Sequence, residues 1–380
     1  MPNSTARPKP VKPYAEFPLF PHATGRWAKK IRGKLHYFGP WSEPEQAASK
    51  YLDQRDDLFA GRVPRAPSDG LNIRDLCNSF CTAKEQQAEA GEITRRTFAE
   101  YLATCTLVVD AFGKTRRVDD LLADDFQTLR LALTKRFSPV VLCNQVQRVR
   151  SVFKYAYDAG LIDKPVRFGP MFKRPAKRIL RAERHRRGPR MFEARHLRRL
   201  LKASDQPLKA MILLGLNCGF GNTDCGTLPL SALDLNGGWI EYPRPKTAVA
   251  RRCPLWPETV EALREAIAQR RAPKDAAYDG LVFITKYGLP WAKETSDSPV
   301  SKEMRKLLIA VGLHRHGIGF YTLRHVFETI GGESRDQVAV SAIMGHVDNS
   351  MAGVYRERIS DERLRQVAGI VRKWLFRRES

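Results

Sequence analysis

The spacing of apolar side chains divides the chain into blocks of different character. In the first block, about residues 1–66, short aromatic and apolar runs are broken by glycine and proline, as in EFPLFPHATGRWAKKIRGKLHYFGPW. Such runs predict a small antiparallel sheet. The stretch that follows, SEPEQAASKYLDQRDDLFAG, predicts one helix. The next segment, RVPRAPSDG, is predicted to be a linker because it is rich in proline and glycine.

The second block, residues 71–172, has apolar residues at three- and four-residue spacing in four successive segments. This period predicts four amphipathic helices. In the last segment, Val146, Val149, Val152 and Phe153 form one apolar stripe, while basic residues occupy the other faces. The pattern therefore predicts a four-helix unit with a basic exterior.

The third block, residues 191–380, opens with a helical pattern and then holds DLNGGWIEYPRPKTAVARRCPLW. Two extended runs on either side of a turn predict a β-hairpin or small sheet. Helical patterns follow from Pro257 to the C-terminus. The predicted fold class is thus mainly α (α+β), with a small N-terminal sheet and a small sheet in the third block.

The last helical segment, DERLRQVAGIVRKWLF, carries a single apolar stripe whose partner the sequence leaves open. The stripe either packs on its own domain or docks onto a neighbouring copy of the chain. Its residues are Leu364, Val367, Ile370, Val371, Trp374 and Leu375.

The charge of the chain indicates a polyanionic partner. The formal net charge is +24 and the pI is about 10.0, which favours nucleic acid over a merely solvated basic surface. Between Met171 and Leu200, twelve Lys and Arg residues face two Glu residues, a surplus of 12 − 2 = 10. We interpret residues 173–190 as a basic linker that follows a phosphate backbone.

Basic residues in all three regions are therefore candidates for DNA contact. They are Lys29, Lys30, Arg32, Lys34, Arg148, Arg150, Lys154, Arg184, Arg186 and Arg187.

The cysteines and the first residues predict a cytoplasmic protein. The seven cysteines are scattered and show no zinc-ligand spacing, which fits a reducing compartment. The N-terminal stretch MPNSTARPKPVKPYAEF lacks the apolar core of a secretion signal. The chain also holds no apolar run of eighteen residues or more that could span a membrane.

Two segments near the C-terminus carry the most specific chemistry, FYTLRHVFETIGG and SAIMGHVDNSMAGVYRERI. They contain the step Leu323-Arg324-His325, the step Met344-Gly345-His346, and Tyr355, which follows His346 by 355 − 346 = 9 residues. In this order and spacing they resemble the signature of the tyrosine recombinase (phage integrase) family. The resemblance covers the third block, and in RPKTAVARRCPLW it puts Lys246 at the lysine position of the family.

The resemblance implies a metal-free cut of a DNA phosphodiester through a 3′-phosphotyrosine, and thus no cofactor. It implies Tyr355 as nucleophile, Arg324 as phosphate clamp, Lys246 as general acid and His346 as donor or proton carrier at the phosphate. These residue types suit the reaction because a tyrosine hydroxyl can store the energy of the phosphodiester. Arginine binds phosphate oxygens bidentately, and the phosphorane gains charge that needs cationic donors.

The resemblance also implies partners and modules. The partner is double-stranded DNA, bound by a homotetramer in a synaptic complex, with a monomer or weak oligomer when free and a place on the nucleoid. Residues 1–66 would be an arm-type DNA-binding module, residues 71–172 a helical core-binding (SAM-like) domain, and residues 191–380 the catalytic domain.

Two positions depart from the family pattern. Tyr321 stands where the family has histidine, three residues before Arg324, and a tyrosine cannot act as a base near neutral pH. In LNCGFGNTDCGTLPL, Gly219 and Asp224 match the family glycine and acidic residue, so Gly221 occupies the position of the first catalytic arginine. This stretch is not a dinucleotide-binding or phosphate-binding loop, because the third glycine and the Gly-Lys-Ser/Thr step are absent.

Several groups are candidates to replace the missing arginine. The first hypothesis is that Asn222 and the start of the next helix hold the phosphate with amide N–H groups. The second is that Arg251, Arg252 or a linker arginine reaches the site.

Three functions remain open at this stage. The first is an active recombinase of an integrase or transposon, that is, of a mobile genetic element. The second is a recombinase-fold protein that binds DNA and cuts it weakly or not at all. The third is a type IB topoisomerase-like enzyme, which the helical second block and the basic N-terminal sheet disfavour.

Overall fold

The computed structural model describes residues 9–61, 70–293 and 298–377, and it divides into two compact units, Met1–Ala182 and Glu183–Ser380. The architecture is mainly helical with two small antiparallel sheets, so the predicted fold class is confirmed. The predicted linker RVPRAPSDG lies outside the described residues except for Gly70. None of the described helices is both long and apolar enough to span a membrane.

The N-terminal part is a three-stranded antiparallel sheet covered on one face by a helix. The strands are β1 (Phe20–His22), β2 (Arg26–Ile31) and β3 (Lys34–Pro40), in that order, and the helix is α1 (Pro44–Phe59). Their buried side chains, Trp27, Phe38 and Tyr51 among them, form a separate small core. The predicted sheet and helix are thus confirmed.

The predicted four-helix unit is also confirmed. Its helices are α2 (Ile73–Glu89), α3 (Arg95–Phe112), α4 (Ala123–Arg136) and α5 (Pro139–Asp158). The apolar stripe of the last helix is buried in a second core. In that core the Thr104 hydroxyl donates to Oε1 of Gln145 at 3.1 Å, which satisfies two buried polar groups.

The basic run after this unit is helical over part of its length. Helix α6 (Lys177–Arg187) lies inside the predicted linker 173–190 and has no buried residue. The boundary between the two compact units falls within it. Leu180, Glu183 and Arg187 are half-buried and the other eight residues are exposed, which agrees with a charge-rich sequence that has no apolar stripe.

The second unit contains the remaining helices and the second sheet. A mostly apolar helix forms its centre, since eight of the ten residues in α8 are buried. The sheet pairs its strands in the order β4–β5–β6, as the predicted hairpin requires. The elements are α7 (Ala194–Ala203), α8 (Leu208–Asn217), α9 (Asn222–Gly226), β4 (Leu233–Asp234), β5 (Trp239–Glu241), β6 (Arg252–Pro254), α10 (Pro257–Ala268), α11 (Pro299–Ala310), α12 (Thr322–Gly331), α13 (Gln337–Met344), α14 (Met351–Val354) and α15 (Asp361–Phe376).

Helix α15 packs on its own unit. Leu364, Val367, Val371 and Leu375 are buried in the core of residues 183–380. Nε1 of Trp256 donates to the carbonyl of residue 368 at 3.0 Å, inside the helix. Four of the six stripe residues are therefore used within the same unit, while Ile370 and Trp374 are half-buried against the same core. Docking onto a neighbouring copy stays a prediction for these two side chains.

Candidate active site

The turn between α8 and α9 brings a carbonyl group to the centre of the candidate site. Gly219 has a positive φ of 63°, which favours glycine, and an added Cβ would lie 3.1 Å from Met344 and from Phe327. Its carbonyl accepts a hydrogen bond from Nη1 of Arg324 at 2.6 Å. The glycine therefore allows both the reversal of the chain and the close approach.

Arg324, near the start of α12, joins two segments of the site. Its side chain is 3% exposed; besides the Gly219 carbonyl it contacts the Met344 carbonyl through Nη2 at 2.7 Å. Burial, and after it the positive charge of Arg244, lowers the pKa of the Arg324 guanidinium. A guanidinium has five N–H donors, so two carbonyl partners leave donors for an anion.

His346 follows the end of α13 directly. Gly345 ends that helix in the left-handed region, with φ 64°, and the His346 N–H donates to the carbonyl of Ser341 at 2.9 Å. The ring is half-buried, and burial, then the charge of Arg324, lowers the pKa of His346. His346 is therefore neutral at pH 7 and can both donate and accept a proton.

The turn that carries Lys246 is docked onto the same segment. Nη1 of Arg244 and the hydroxyl of Thr247 both donate to the carbonyl of Gly345, at 3.3 and 3.2 Å. The turn is closed by the Arg244 N–H, which donates to the carbonyl of Val249 at 2.9 Å. Lys246 is exposed between these two anchors. Its backbone is thus fixed beside the residue that precedes His346.

Gly221 and Tyr321, the two positions that depart from the family pattern, are neighbours. A Cβ added to Gly221 would lie 3.5 Å from the ring of Tyr321. The Gly221 N–H donates to Oδ2 of Asp224 at 2.6 Å. Tyr321 is 51% exposed and its ring meets that of His325 edge-on, with 5.6 Å between ring centroids. The phenol ring therefore lines the space beside the missing arginine side chain.

The groups predicted to replace that arginine are already hydrogen-bonded. The Asn222 amide nitrogen donates to the hydroxyls of Ser298, at 3.1 Å, and Ser301, and so connects α9 to the start of α11. Its Oδ1 is buried without a hydrogen-bond partner among the described residues. The role of Asn222 at a phosphate stays a prediction, and in this structure its amide donors hold two helices together.

The two hairpin arginines are paired as well. Arg251 is 4% exposed and donates through Nη2 to Asp224 at 2.9 Å and through Nε to the carbonyl of Tyr242 at 2.9 Å. Its guanidinium lies over the ring of Phe220, 4.4 Å from the centroid. Arg252 binds Asp361 through Nε and Nη2, both at 2.9 Å.

Tyr355 lies just after α14 and is 76% exposed. A short loop fixes its helix, since the Ser350 hydroxyl caps Gly353 at 3.1 Å and Arg356 binds Asp348 at 2.9 Å. Hydrogen bonds from Ser350, and then Arg356, lower the pKa of Asp348 to about 2. The structure brings Arg324, His346 and the turn of Lys246 together, and the Tyr355 hydroxyl makes no hydrogen bond with them.

The predicted DNA-contacting lysines and arginines of the N-terminal sheet differ in orientation. Lys29 contacts the α1 side, because its Nζ donates to the carbonyl of Pro18 at 2.8 Å and lies 4.9 Å from the centroid of the Tyr51 ring. Lys30, Arg32 and Lys34 are exposed. The last three can therefore meet a partner as they stand.

In the four-helix unit, the basic exterior is less free than the sequence pattern suggested. Arg148 forms an ion pair with Glu100, and Arg150 donates to the carbonyl of Phe172 at 2.7 Å. Only Lys154, which pairs with Asp158 within its own helix, is exposed. The side chains of Arg148 and Arg150 thus stabilise the unit, a partnership that helical spacing alone does not reveal.

In α6, Arg186 and Arg187 both bind Glu183, at 2.8 and 2.7 Å; Arg187 is half-buried, whereas Arg184 and Arg186 are exposed. The charge of Arg184 reaches the candidate site. After burial and Arg190, it contributes to lowering the pKa of His325.

Comparisons with known proteins identify the region that holds this site. The family model described as "Phage integrase family" matches residues 190–361. A comparison with curated proteins finds no significant match.

Solved structures share the fold. A lambda integrase tetramer bound to a Holliday junction is 14% identical, with 92% of this chain and 98% of that chain covered and a TM-score of 0.57. The Tn1549 transposon integrase in complex with transposon right-end DNA is 17% identical, with 78% and 98% covered and a TM-score of 0.58.

Proposed function

Because residues 190–361 form a phage integrase family domain, we propose that the chain is a site-specific DNA recombinase that cuts and rejoins DNA through a 3′-phosphotyrosine intermediate. One observation carries the proposal. A single buried guanidinium, that of Arg324, ties the Gly219 turn to the Met344–His346 segment, and the Lys246 turn is docked on that same segment. The arrangement collects cationic and proton-transferring groups around one point.

The proposed reaction uses these groups in one displacement. The Tyr355 oxygen forms a bond to phosphorus while the bond from phosphorus to the 5′ oxygen breaks, and the phosphodiester energy is kept in the new linkage. Lys246 delivers a proton to the departing 5′ oxygen. Arg324 and His346 donate to the non-bridging oxygens, on which negative charge accumulates.

Tyr321 takes part only as a donor in this proposal. Its ring lies beside Gly221, within reach of the same region. A phenol hydroxyl can donate a hydrogen bond, but unlike an imidazole it is not a base that takes the proton of the nucleophile near neutral pH. The deprotonation of Tyr355 therefore depends on His346 or on water.

The partner we propose is double-stranded DNA, bound at the nucleoid by a synaptic homotetramer. The net charge of +24 supports a polyanionic partner, and the two integrases of similar fold are described in complex with DNA, one of them as a tetramer. We propose residues 1–66 as the arm-type module, 71–172 as the core-binding domain, 173–190 as the basic linker and 191–380 as the catalytic domain. We propose the exposed candidates as DNA contacts, namely Lys30, Arg32, Lys34, Lys154, Arg184 and Arg186.

A second candidate function is DNA binding without efficient cleavage. The observation that favours it is the absence of a side chain at Gly221, with Asn222, Arg251 and Arg252 all paired elsewhere. Loss of one preorganised donor typically lowers a rate by about 10²–10³-fold. A protein with that deficit alone would still bind its site through phosphate contacts.

A covalent-adduct assay distinguishes the two functions. The preferred sequence is first selected by binding from a random pool of duplexes and is then rebuilt with a nick close to the scissile phosphate, which makes cleavage irreversible. The expected result is a protein–DNA adduct that survives denaturation and disappears in Tyr355→Phe. Tyr287→Phe is the matched control, since Tyr287 is likewise 71% exposed. Tight binding of the selected DNA without any adduct would establish the binding function instead.

A further inference from the structure

The candidate site has too few cationic donors at the Gly221 side. Position 221 has no side chain, and the Asp224 carboxylate accepts its N–H at 2.6 Å. The Asn222 amide is bonded to two serines of the α11 start. None of these groups offers a positive charge to a phosphate, so a second cation must come from another element.

Arg251 cannot supply that charge in this structure. Its Nε and Nη2 are bonded at 2.9 Å, and Nη1 is buried without a partner among the described residues. Since the side chain is shielded by Phe220 and Tyr242, a phosphate could reach it only if the turn opened. Arg251 therefore positions Asp224 and the turn and does not meet the substrate.

Arg244 is less buried than Arg251, and fewer of its guanidinium N–H groups are hydrogen-bonded. It lies at the base of the Lys246 turn and is half-buried, and its side chain makes one long hydrogen bond, 3.3 Å, to the Gly345 carbonyl. A Cβ added to Gly345 would lie 2.9 Å from the Cβ of Arg244, so the first side-chain atom of Arg244 packs against the residue that precedes His346. Most of the N–H donors of its guanidinium remain for another acceptor.

The charges around Arg244 are those of an anion site. Nη1 of Arg244 donates to the carbonyl of Gly345 and Nη2 of Arg324 to that of Met344, so the two guanidinium groups are anchored on adjacent residues. The positive charge of Arg244 also contributes to lowering the pKa values of Arg324 and His346. The nearby carboxylate, Asp224, is bound by Arg251 at 2.9 Å. Among the described residues neither Arg244 nor Arg324 forms an ion pair, so holding these two cations on adjacent residues costs energy that a bound anion would offset.

We propose that Arg244 binds a non-bridging oxygen of the scissile phosphate and acts as the second arginine of the site, in place of the side chain missing at Gly221. This inference rests on the proposed function. In this proposal the Lys246 turn has two functions. It brings Lys246 to the departing oxygen, and it also brings the Arg244 guanidinium to the negatively charged oxygens of the phosphorane.

The test compares adduct formation on two nicked duplexes of the selected sequence. One carries the natural scissile phosphate and the other a methylphosphonate, in which a methyl group replaces one non-bridging oxygen and the linkage is neutral. On the phosphate, Arg244→Ala is expected to lower the rate about 10²-fold, and Arg244→Lys less. On the methylphosphonate, wild type and Arg244→Ala are expected to agree within about threefold, because its phosphorane carries one negative charge fewer than that of the phosphate and needs one cationic donor fewer.

Two controls separate the guanidinium from the docking of the turn. Thr247→Val removes the other hydrogen bond to the Gly345 carbonyl and keeps Arg244; its smaller loss is expected to be equal on both duplexes. Arg264→Ala removes an exposed arginine that contacts the carbonyl of Leu235 and the side chain of Asn236, and it is expected to match wild type.

The inference is overturned if Arg244→Ala cleaves the phosphate as fast as wild type, or if its loss is equally large on the methylphosphonate. In both cases, a covalent protein–DNA adduct formed by the wild-type protein would still support the proposed recombinase function. If wild type forms no adduct at all, the proposed function fails first and the role of Arg244 fails with it.

Discussion

Replacing Asp224 by alanine tests whether the turn at Gly221 is held by a buried ion pair. The carboxylate accepts from the Gly221 N–H at 2.6 Å and from Arg251 at 2.9 Å, and the two side chains are only 10% and 2% exposed. In Asp224→Ala, the Arg251 guanidinium remains buried and retains only the Tyr242 carbonyl. Breaking a buried pair in this way costs about 3–5 kcal/mol of unfolding free energy.

The expected change is large enough to read from a urea titration. With an m-value of about 2–3 kcal/mol/M for a unit of this size, the midpoint should fall by roughly 1–2 M. Tryptophan fluorescence reports mainly on the second unit, which holds four of the six tryptophans, Trp239, Trp256, Trp291 and Trp374. Arg372→Ala is the control, because its pair with Glu258 is 45% and 32% exposed and should contribute less than about 1 kcal/mol.

The double variant Asp224→Ala/Arg251→Met identifies the cause of the loss. If an orphaned buried charge is responsible, removing the guanidinium as well should recover most of the stability. A double variant that stays as unstable as Asp224→Ala would instead assign the cost to the lost Gly221 hydrogen bond. A single variant as stable as Arg372→Ala would refute the buried-pair reasoning.

Three further predictions concern other contacts of the second unit. Asn217 is fully buried, and its side chain forms hydrogen bonds to the carbonyl of Pro254 at 2.9 Å and to the N–H of Trp256 at 2.8 Å. Asn217→Leu should therefore lower the unfolding free energy by about 1–3 kcal/mol for each backbone group left unpaired. Urea unfolding measures this loss, and an unchanged midpoint would contradict it. Gly345→Ala should abolish adduct formation, because its φ is 64° and the new Cβ would lie 2.7 Å from the Cδ of Arg251; wild-type adduct levels would disprove that crowding. The hydrogen bond from Arg363 lowers the pKa of Asp336, so this pair stabilises the fold above the unfolded pKa of 3.8 and loses its effect as the pH falls through the lower folded pKa. Asp336→Asn should therefore make the unfolding free energy decline less steeply below about pH 4. An unchanged decline would exclude the pair as its source.

The elements themselves were predictable because they depend on local periodicity. The apolar period of the second block gave its helices, and the extended runs around the Lys246 turn gave the hairpin. What the period cannot show is which polar side chain meets a partner far along the chain. Arg148 was placed on an outer face by its spacing, yet Glu100, 48 residues earlier, binds it.

The same limit applies to the candidate site. The order and spacing of Arg324, His346 and Tyr355 marked the site, and the turn of Lys246 is docked where the resemblance suggests. Arg244 went unnoticed because a basic residue two positions before Lys246 looks like part of the general charge; only the 3.3 Å contact with Gly345, 101 residues away, singles it out. The serine partners of the Asn222 amide could not be foreseen for the same reason, since they are 76 and 79 residues away.

The anchoring of α13 and α15 in one core sets the distance over which Tyr355 can act. Tyr355 precedes Asp361, the first residue of α15, by 361 − 355 = 6 residues. An extended chain advances at most about 3.3–3.6 Å per residue, so the Cα of Tyr355 stays within roughly 20 Å of the Cα of Asp361 however the segment rearranges. Asp361 is itself bound to Arg252 at 2.9 Å, on the strand that follows the Lys246 turn. The phosphate that Tyr355 is proposed to attack is therefore confined to the surroundings of a residue that is itself bound to the hairpin with the proposed acid and clamp.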